Sequence, residues 1–428
     1  KDHTSYAEAV EITDLAKNMG RPFLNKCGGT YSSEWWWSKI LHCARVAPDV
    51  FSAAYTWAEM QDVIPAWLTG TLAPIKLKRG ICAAGHKALY HTDWGGLPDA
   101  EFLAALDPRL AELRPRLYAQ TLTSDQVAGC LTEERAAELG LRPGIPVAVG
   151  AFDAHMGAVG AGVRPGTMVK IMGTSTCDIM VGPADTPDIQ GVCGVVPGSV
   201  IPGMIGIEAG QSAVGDLFAW CARELDGRDD AHYRLQEEAA QLRPGESGLL
   251  ALDWNNGNRT ILVDVQLTGL LIGQTLHTTA AEIYRTLIEA TAFGSLKIIE
   301  QIEAGGAPVN EVICCGGIAE KSPLTMQVYA DICNRPIKVS RSGQTCALGA
   351  AIFGAVSAGA FRDVGEAVEK LTGVKERVYA PNPNAVGVYK KLGSLYTKLH
   401  DAFGREGQSL DLFPVMKELL AIQREARG

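Results

Sequence analysis

The chain has 428 residues, 47% of them apolar, with 39 Lys and Arg against 48 Asp and Glu for a formal net charge of −9. That length suits about two to three domains with a substantial core, while the acidic balance and the lack of any Lys/Arg-rich block argue against nucleic acid, whose partners carry basic stripes. No apolar run is long enough to cross a bilayer, and the eleven cysteines form no Cys-x-x-Cys pair, which points to reduced, buried thiols in a cytoplasmic protein rather than to disulfides or a zinc site.

Segments of helical period alternate with short apolar strands, the pattern of an α/β protein. Residues 33–46 predict a helix that stops before Pro48. Its three consecutive tryptophans, Trp35, Trp36 and Trp37, point in different directions on a helix, so they predict core packing rather than a carbohydrate-stacking platform. Residues 56–68 predict a second helix, kinked at Pro65. After Pro143 strands become frequent, at residues 147–149, 168–172, 177–181, 204–207 and 312–315. That shift suggests a boundary near residues 150–165 and expected domains of 1–162 and 163–428. Toward the end, Tyr389, Leu392, Leu395, Tyr396 and Leu399 recur at helical spacing, which predicts a closing amphipathic helix.

Three segments carry candidate chemistry. Asp153 follows the apolar run 146–150 and precedes small residues, so it is expected where a strand ends and a helix packs closely, a favoured ligand position in open α/β folds. A carboxylate there either caps the helix or orients a hydroxyl and accepts its proton. Gly173, Thr174, Ser175 and Thr176 lie between two predicted strands, as an ordinary turn or as a cradle of N–H groups and hydroxyls for phosphate oxygens. Gly316 and Gly317 follow the strand at 312–315, with Ser322 suited to cap a helix begun by Pro323; glycines there let the backbone approach a flat ligand. His155, two residues after Asp153, is expected to be structural.

These segments occur in one order with several others: Lys1-Asp2-His3-Thr4, the stretch from Gly29 to Trp35, Ala84-Gly85-His86-Lys87, Trp94-Gly95-Gly96-Leu97-Pro98, Gly206-Ile207-Glu208, and Ala347-Leu348-Gly349. Together they resemble the FGGY carbohydrate kinases, and within them the branch that phosphorylates L-ribulose, from Lys1 to about residue 400. The resemblance implies a two-domain actin-like (ribonuclease H-like) ATPase fold. Members of that group open with a phosphate-handling hairpin of Asp-x-Gly-Thr type. None precedes Lys1, so the first domain is expected to be N-terminally truncated and the chain less active than its parent.

The same resemblance implies roles. ATP and Mg²⁺ are the expected cofactors, with the metal held by ATP phosphates and water and reaching Asp153 through water. Asp153 becomes the base and a sugar contact, and Gly173 to Thr176 become a phosphate hairpin. Gly316 and Gly317 become the adenosine motif, with Asn334 and Gly349 as supporting contacts. Lys87 and Glu208 become sugar ligands, one donating and one accepting, with Gln211 supporting Glu208, and Arg259 falls in a loop near the cleft. The implied reaction is transfer from ATP to the C5 hydroxyl of L-ribulose, in a cytoplasmic enzyme for which a homodimer is allowed. Rival readings are another FGGY kinase, acting on D-ribulose, D-xylulose, ribitol or glycerol, and a non-catalytic sugar or nucleotide sensor.

Overall fold

A computed structural model describes residues 2–427; Lys1 of the first motif lies outside the described residues. The first third of the chain is helical: α1 (Tyr6–Asn18), α2 (Trp36–Val46), α3 (Pro48–Ala53), α4 (Met60–Leu68), α5 (Ile81–Lys87), α6 (Ala100–Leu106) and α7 (Pro108–Leu113). The helix at 36–46 ends where expected, but Pro48 opens α3 rather than a loop, because proline suits the first helical position. Trp35, Trp36 and Trp37 are all buried in a cluster with Phe23, Leu41 and Phe102, as their divergent directions predict. Pro65 lies inside α4, and since it has no N–H the Gln61 carbonyl lacks its intrahelical donor. Gly150 fits against that carbonyl, where a Cβ could not.

Strands β1 (Val127–Cys130) and β2 (Pro146–Ala148), with α8 (Glu133–Leu139) between them, form a separate antiparallel ribbon. The strand expected at 147–149 therefore does not join the main sheet. It leads instead into α9 (Asp153–Ala161).

The main sheet has seven strands. Four come first: β3 (Thr167–Met172), β4 (Thr176–Gly182), β5 (Gly194–Pro197) and β6 (Ile205–Ala209). Helices α10 (Gly215–Leu225) and α11 (Ala231–Gln241), a small pair β7 (Leu250–Leu252) and β8 (Leu270–Ile272), and the long α12 (Ala280–Ala304) follow. Then come β9 (Glu311–Cys315), α13 (Gly317–Lys321), α14 (Pro323–Cys333), β10 (Ile337–Ser340), α15 (Thr345–Ser357), α16 (Val364–Leu371), β11 (Val374–Tyr379), α17 (Pro383–Gly404) and α18 (Val415–Arg427). The order across the sheet is β11-β10-β9-β3-β4-β6-β5. Strands β3, β9 and β10 run parallel and the other pairings are antiparallel.

Side chains alternate between two buried faces, as strands covered on both sides require. Met168, Met172, Val312 and Cys314 face a core shared with α12, α14 and α17. Val169, Ile313 and Cys315 face a second core built with α9 and α15. The predicted stripe of α17, from Tyr389 to Leu399, is buried in the first of these. Helices α9 and α15 cross at glycines: a Cβ at Gly160 would meet the Thr345 carbonyl, and one at Gly349 the Met156 carbonyl. Such contacts let two backbones approach more closely than any larger residue would permit.

Candidate active site

Because β3 and β9 are adjacent and parallel, with Ile171 beside Cys315, the turns that follow them emerge together. The first turn, Gly173 to Ser175, joins β3 to β4. Its Gly173 N–H donates to Ser175 O at 2.9 Å, and the Thr174 carbonyl accepts from the N–H groups of Val214 (2.9 Å) and Asp216 (3.1 Å) at the start of α10. Among the described residues this leaves the N–H groups of Thr174 and Ser175 without an intramolecular acceptor, ready for an anion. The second turn begins at Gly316, whose φ of +95° and contact with the Met172 carbonyl exclude a side chain. Gly317 next to it is open, with nothing within 4 Å of a hypothetical Cβ.

Gly173, Thr174 and Gly317 line one cavity of about 540 Å³, whose largely apolar walls include Phe218, Ile318 and Tyr284. His232 and Tyr284 face each other there, Nδ1 to hydroxyl at 3.1 Å. Ser322 caps α14 by accepting from Thr325 N, and Pro323 opens that helix, as expected, although the short α13 intervenes. A slot of this size, largely apolar but bordered by the turn whose Thr174 N–H is free, suits a nucleotide: base against the apolar walls, phosphates at the turn.

On the other side of the β3–β4 hairpin, α5, α9 and β6 converge. Asp153 opens α9, exposed, with its carboxylate accepting only from Ala154 N (2.7 Å). Phe152 is the residue in the capping position, and its side chain makes no capping bond, so the Asp153 carboxylate serves one first-turn N–H of α9 and keeps its other oxygen free of protein donors. The Lys87 ammonium lies 4.3 Å from the centre of the Phe152 ring and 3.7 Å from Glu59 Oε2. Three aromatic side chains hold its turn by taking the carbonyls left free at the end of α5: Tyr31 hydroxyl to Lys87 O, Trp37 Nε1 to Ala88 O at 2.8 Å, and Trp94 Nε1 to Leu89 O at 2.9 Å. Glu208, buried on β6, accepts from Arg259 at 2.6 Å. It also lies 3.4 Å from His86 Nδ1 and 3.7 Å from His155 Nε2. Burial raises the Glu208 pKa, but the positive charge around it, from the Arg259 guanidinium and then the Lys87 ammonium, outweighs burial and holds it below the usual range. Burial also keeps His155, together with His86, neutral at ordinary pH, with His86 pushed down to about 3.

Four expected site residues are not where the resemblance implies. Thr176 is fully buried, its hydroxyl accepting from Gln211 N at 3.1 Å, so the free part of the turn stops at Ser175. Gln211 does not support Glu208. Its amide donates to Asp253 (2.7 Å) and Thr291 O (2.8 Å) and accepts from Lys170 (3.3 Å), all beneath the sheet. Asn334 ends α14 in the left-handed conformation, at the opposite end of that helix from the cavity, where Arg335 donates to the Cys333 carbonyl at 2.8 Å and Asn tolerates φ of +48°. Gly349 is absorbed by the α9–α15 crossing. His86, Phe218, Tyr284 and Lys170 were missed. His86 stands inside a quoted motif and Lys170 inside the predicted strand at 168–172, where a polar residue in an apolar run is a usable signal, whereas Phe218 and Tyr284 have no local mark.

Residues 168–358 match the C-terminal domain model of the FGGY family of carbohydrate kinases. A ribulokinase of Shouchella clausii is 46% identical over 100% of this chain and 77% of its own length, and one of Halalkalibacterium halodurans is 43% identical over 99% and 76%. Among solved structures, a xylulose kinase from Rhodospirillum rubrum superposes with a TM-score of 0.76 at 24% identity over 92% of this chain and 78% of that one, a likeness of fold. With the two-sided site on an actin-like scaffold and such identity along nearly its whole length, the chain belongs to the FGGY family of carbohydrate kinases, among the ribulokinases.

Proposed function

We propose that this chain transfers the γ-phosphoryl group of ATP to the C5 hydroxyl of L-ribulose, giving L-ribulose 5-phosphate and ADP. The observation that carries the reading is the grouping of Lys87, Asp153 and Glu208 by direct contacts among α5, α9 and β6, across the hairpin from the nucleotide-shaped cavity. In the reaction the new O–P bond forms as the bond to ADP breaks, and the hydroxyl proton passes to the exposed Asp153 carboxylate. Lys87 donates to sugar oxygens and Glu208 accepts from sugar hydroxyls. The Thr174 and Ser175 N–H groups hold phosphate, and Gly317 admits the adenosine.

Mg²⁺ belongs to the same reading. The exposed carboxylate of Asp153 and that of Asp216, which lines the cavity, fit a hard cation reached through water, and the ion would neutralise charge on the phosphates. The reading divides the chain into a sugar-binding part, residues 1–162, and a nucleotide-binding part, residues 163–428, with the α9–α15 crossing at their seam. It also includes a cytoplasmic location, a homodimer, and no nucleic-acid partner. No helix among the described residues is long and apolar enough to cross a membrane.

The test is phosphoryl transfer from MgATP to L-ribulose, with the product identified by mass and D-ribulose, D-xylulose, ribitol and glycerol assayed alongside. Preference for L-ribulose supports the reading. Preference for another acceptor replaces the substrate, and ATP-independent sugar binding without transfer replaces the kinase by a sensor.

A further inference from the structure

His86 and His155 are used by none of the roles above, yet both are almost completely buried and the fold makes room for them. Gly194 on β5 stands where any Cβ would run into the His86 ring, and a Cβ at Gly85 would strike Val196. The two Nε2 atoms are 3.1 Å apart. Each ring has an Nδ1 with no hydrogen bond: that of His155 has no polar partner, and that of His86 faces Glu208 Oε2 at 3.4 Å without closing a bond.

One arrangement of protons fits these contacts. If His155 carries its proton on Nε2 it donates to His86 Nε2, and His86 then carries its own on Nδ1, toward the carboxylate. The His155 Nδ1 lone pair then has no polar partner, and the His86 Nδ1–H points at a carboxylate oxygen 3.4 Å away. The reverse arrangement would aim a lone pair at an anion and orphan a buried N–H, which costs more. A divalent cation among His86, His155 and Glu208 fits less well. The two nitrogens of His86 face different partners, and the Arg259 guanidinium, 2.6 Å from Glu208 Oε1, already supplies the positive charge.

We infer that His86 and His155 form a neutral imidazole pair that positions Glu208 for the acceptor sugar. This rests on the sugar role assigned to Glu208. His86 is the neighbour of Lys87, and His155 lies two residues beyond Asp153 on α9, so each element that presents a side chain to the sugar also presents a ring to Glu208. Arg259 fixes one carboxylate oxygen and the pair steadies the other. The remaining lone pairs are thereby aimed at the ligand, and the spacing among Lys87, Asp153 and Glu208 is set by ring-to-ring contact. The pair is a selectivity device for the acceptor and does not touch the nucleotide.

The experiment compares His155→Leu, which removes the donor, with His155→Gln, whose amide restores an N–H near the Nε2 position. L-Ribulose affinity is read by calorimetry and the KM values for sugar and ATP by steady-state kinetics. Losing a hydrogen bond that feeds a charged group weakens sugar binding roughly tenfold or more. The expected result is that loss in the Leu variant with the ATP KM unchanged, and substantial recovery in the Gln variant. Equal sugar affinity in all three proteins, or matched losses for sugar and ATP, overturns the inference. Should the Leu variant fail to fold, ¹⁵N-histidine spectra of the unaltered chain decide: His86 protonated on Nδ1 and His155 on Nε2 at neutral pH support the pair, and any other tautomers overturn it. Stoichiometric Zn²⁺ uptake that tightens sugar binding also overturns it. If the unaltered chain binds no pentulose or polyol, the kinase reading itself falls, which is distinct from binding that the substitutions leave intact.

Discussion

Lys170 and Asp178 stand directly opposite each other on β3 and β4, with the Lys170 ammonium 2.7 Å from both carboxylate oxygens and neither side chain exposed to solvent. The pair sits at the base of the hairpin that carries the Gly173 to Ser175 turn. Its third partner is Gln211, which hands the network on to Asp253 and from there to the Tyr396 hydroxyl at 2.9 Å. Lys170→Met would leave a buried carboxylate without its counter-charge, a defect that costs about 3–5 kcal/mol. Urea unfolding should show that loss, and Lys170→Met with Asp178→Leu should recover much of it. A single variant as stable as the unaltered chain would mean that the pair adds nothing to the hairpin.

Asp153→Asn keeps shape and hydrogen-bonding capacity but cannot take up a proton at neutral pH. Since the side chain is exposed and bonded only to its neighbour's N–H, little structural consequence is expected. Turnover should fall by about 10²–10⁴ with ATP binding by calorimetry near normal. Retained turnover would remove Asp153 from the chemistry.

The α9–α15 crossing can be probed by two substitutions on one helix. Gly349→Ala drives a methyl group into the Met156 carbonyl, whereas Gly354→Ala meets nothing within 4 Å. The first should destabilise by about 1–3 kcal/mol and displace the end of α9 that bears Asp153. The second should be neutral or stabilising by up to about 1 kcal/mol. Thermal unfolding of the two variants side by side checks both, and equal shifts would show that the crossing tolerates a larger separation.

Acid should weaken the fold through the Glu208 cluster, and the sign follows from protons bound. Burial holds His86 at about 3, from 6.5, and lowers His155 as well, so below pH 6.5 the unfolded chain binds protons that the folded chain refuses. Each neutral histidine then contributes stability that is fully present above pH 6.5 and declines by about 1.4 kcal/mol per pH unit down toward the folded value. Glu208 acts in the same sense below its ordinary 4.5: its contribution is present above that value and is lost as pH falls through the depressed one. Unfolding free energies between pH 7 and pH 5 should therefore drop, and His86→Asn should flatten the slope. An unchanged slope in that variant would mean that His86 takes up protons in the folded chain.

The chain order of the motifs, the strands at 168–172 and 312–315, the helix begun by Ser322 and Pro323, and the buried stripe of α17 were all legible in the sequence, because alternation, helical period, caps and prolines are local properties. Asp153, Lys87, Glu208, Gly173 and Gly316 could be nominated the same way, by residue type within a motif. Which of them face the site was not legible. Gln211 and Thr176 share motifs with ligand-facing neighbours, yet strand alternation and the Gln211 to Asp253 contact, 42 residues apart in sequence, turn them beneath the sheet. Asn334 and Gly349 went to a helix end and a helix crossing for equally non-local reasons. The joining of His86 to His155 and Glu208, of Tyr31 and Trp37 to the end of α5, and of Phe218 to Tyr284 at the cavity wall depends on packing between elements 50 or more residues apart. Local pattern sets what each segment becomes, and only burial of one face against another decides which side chains meet.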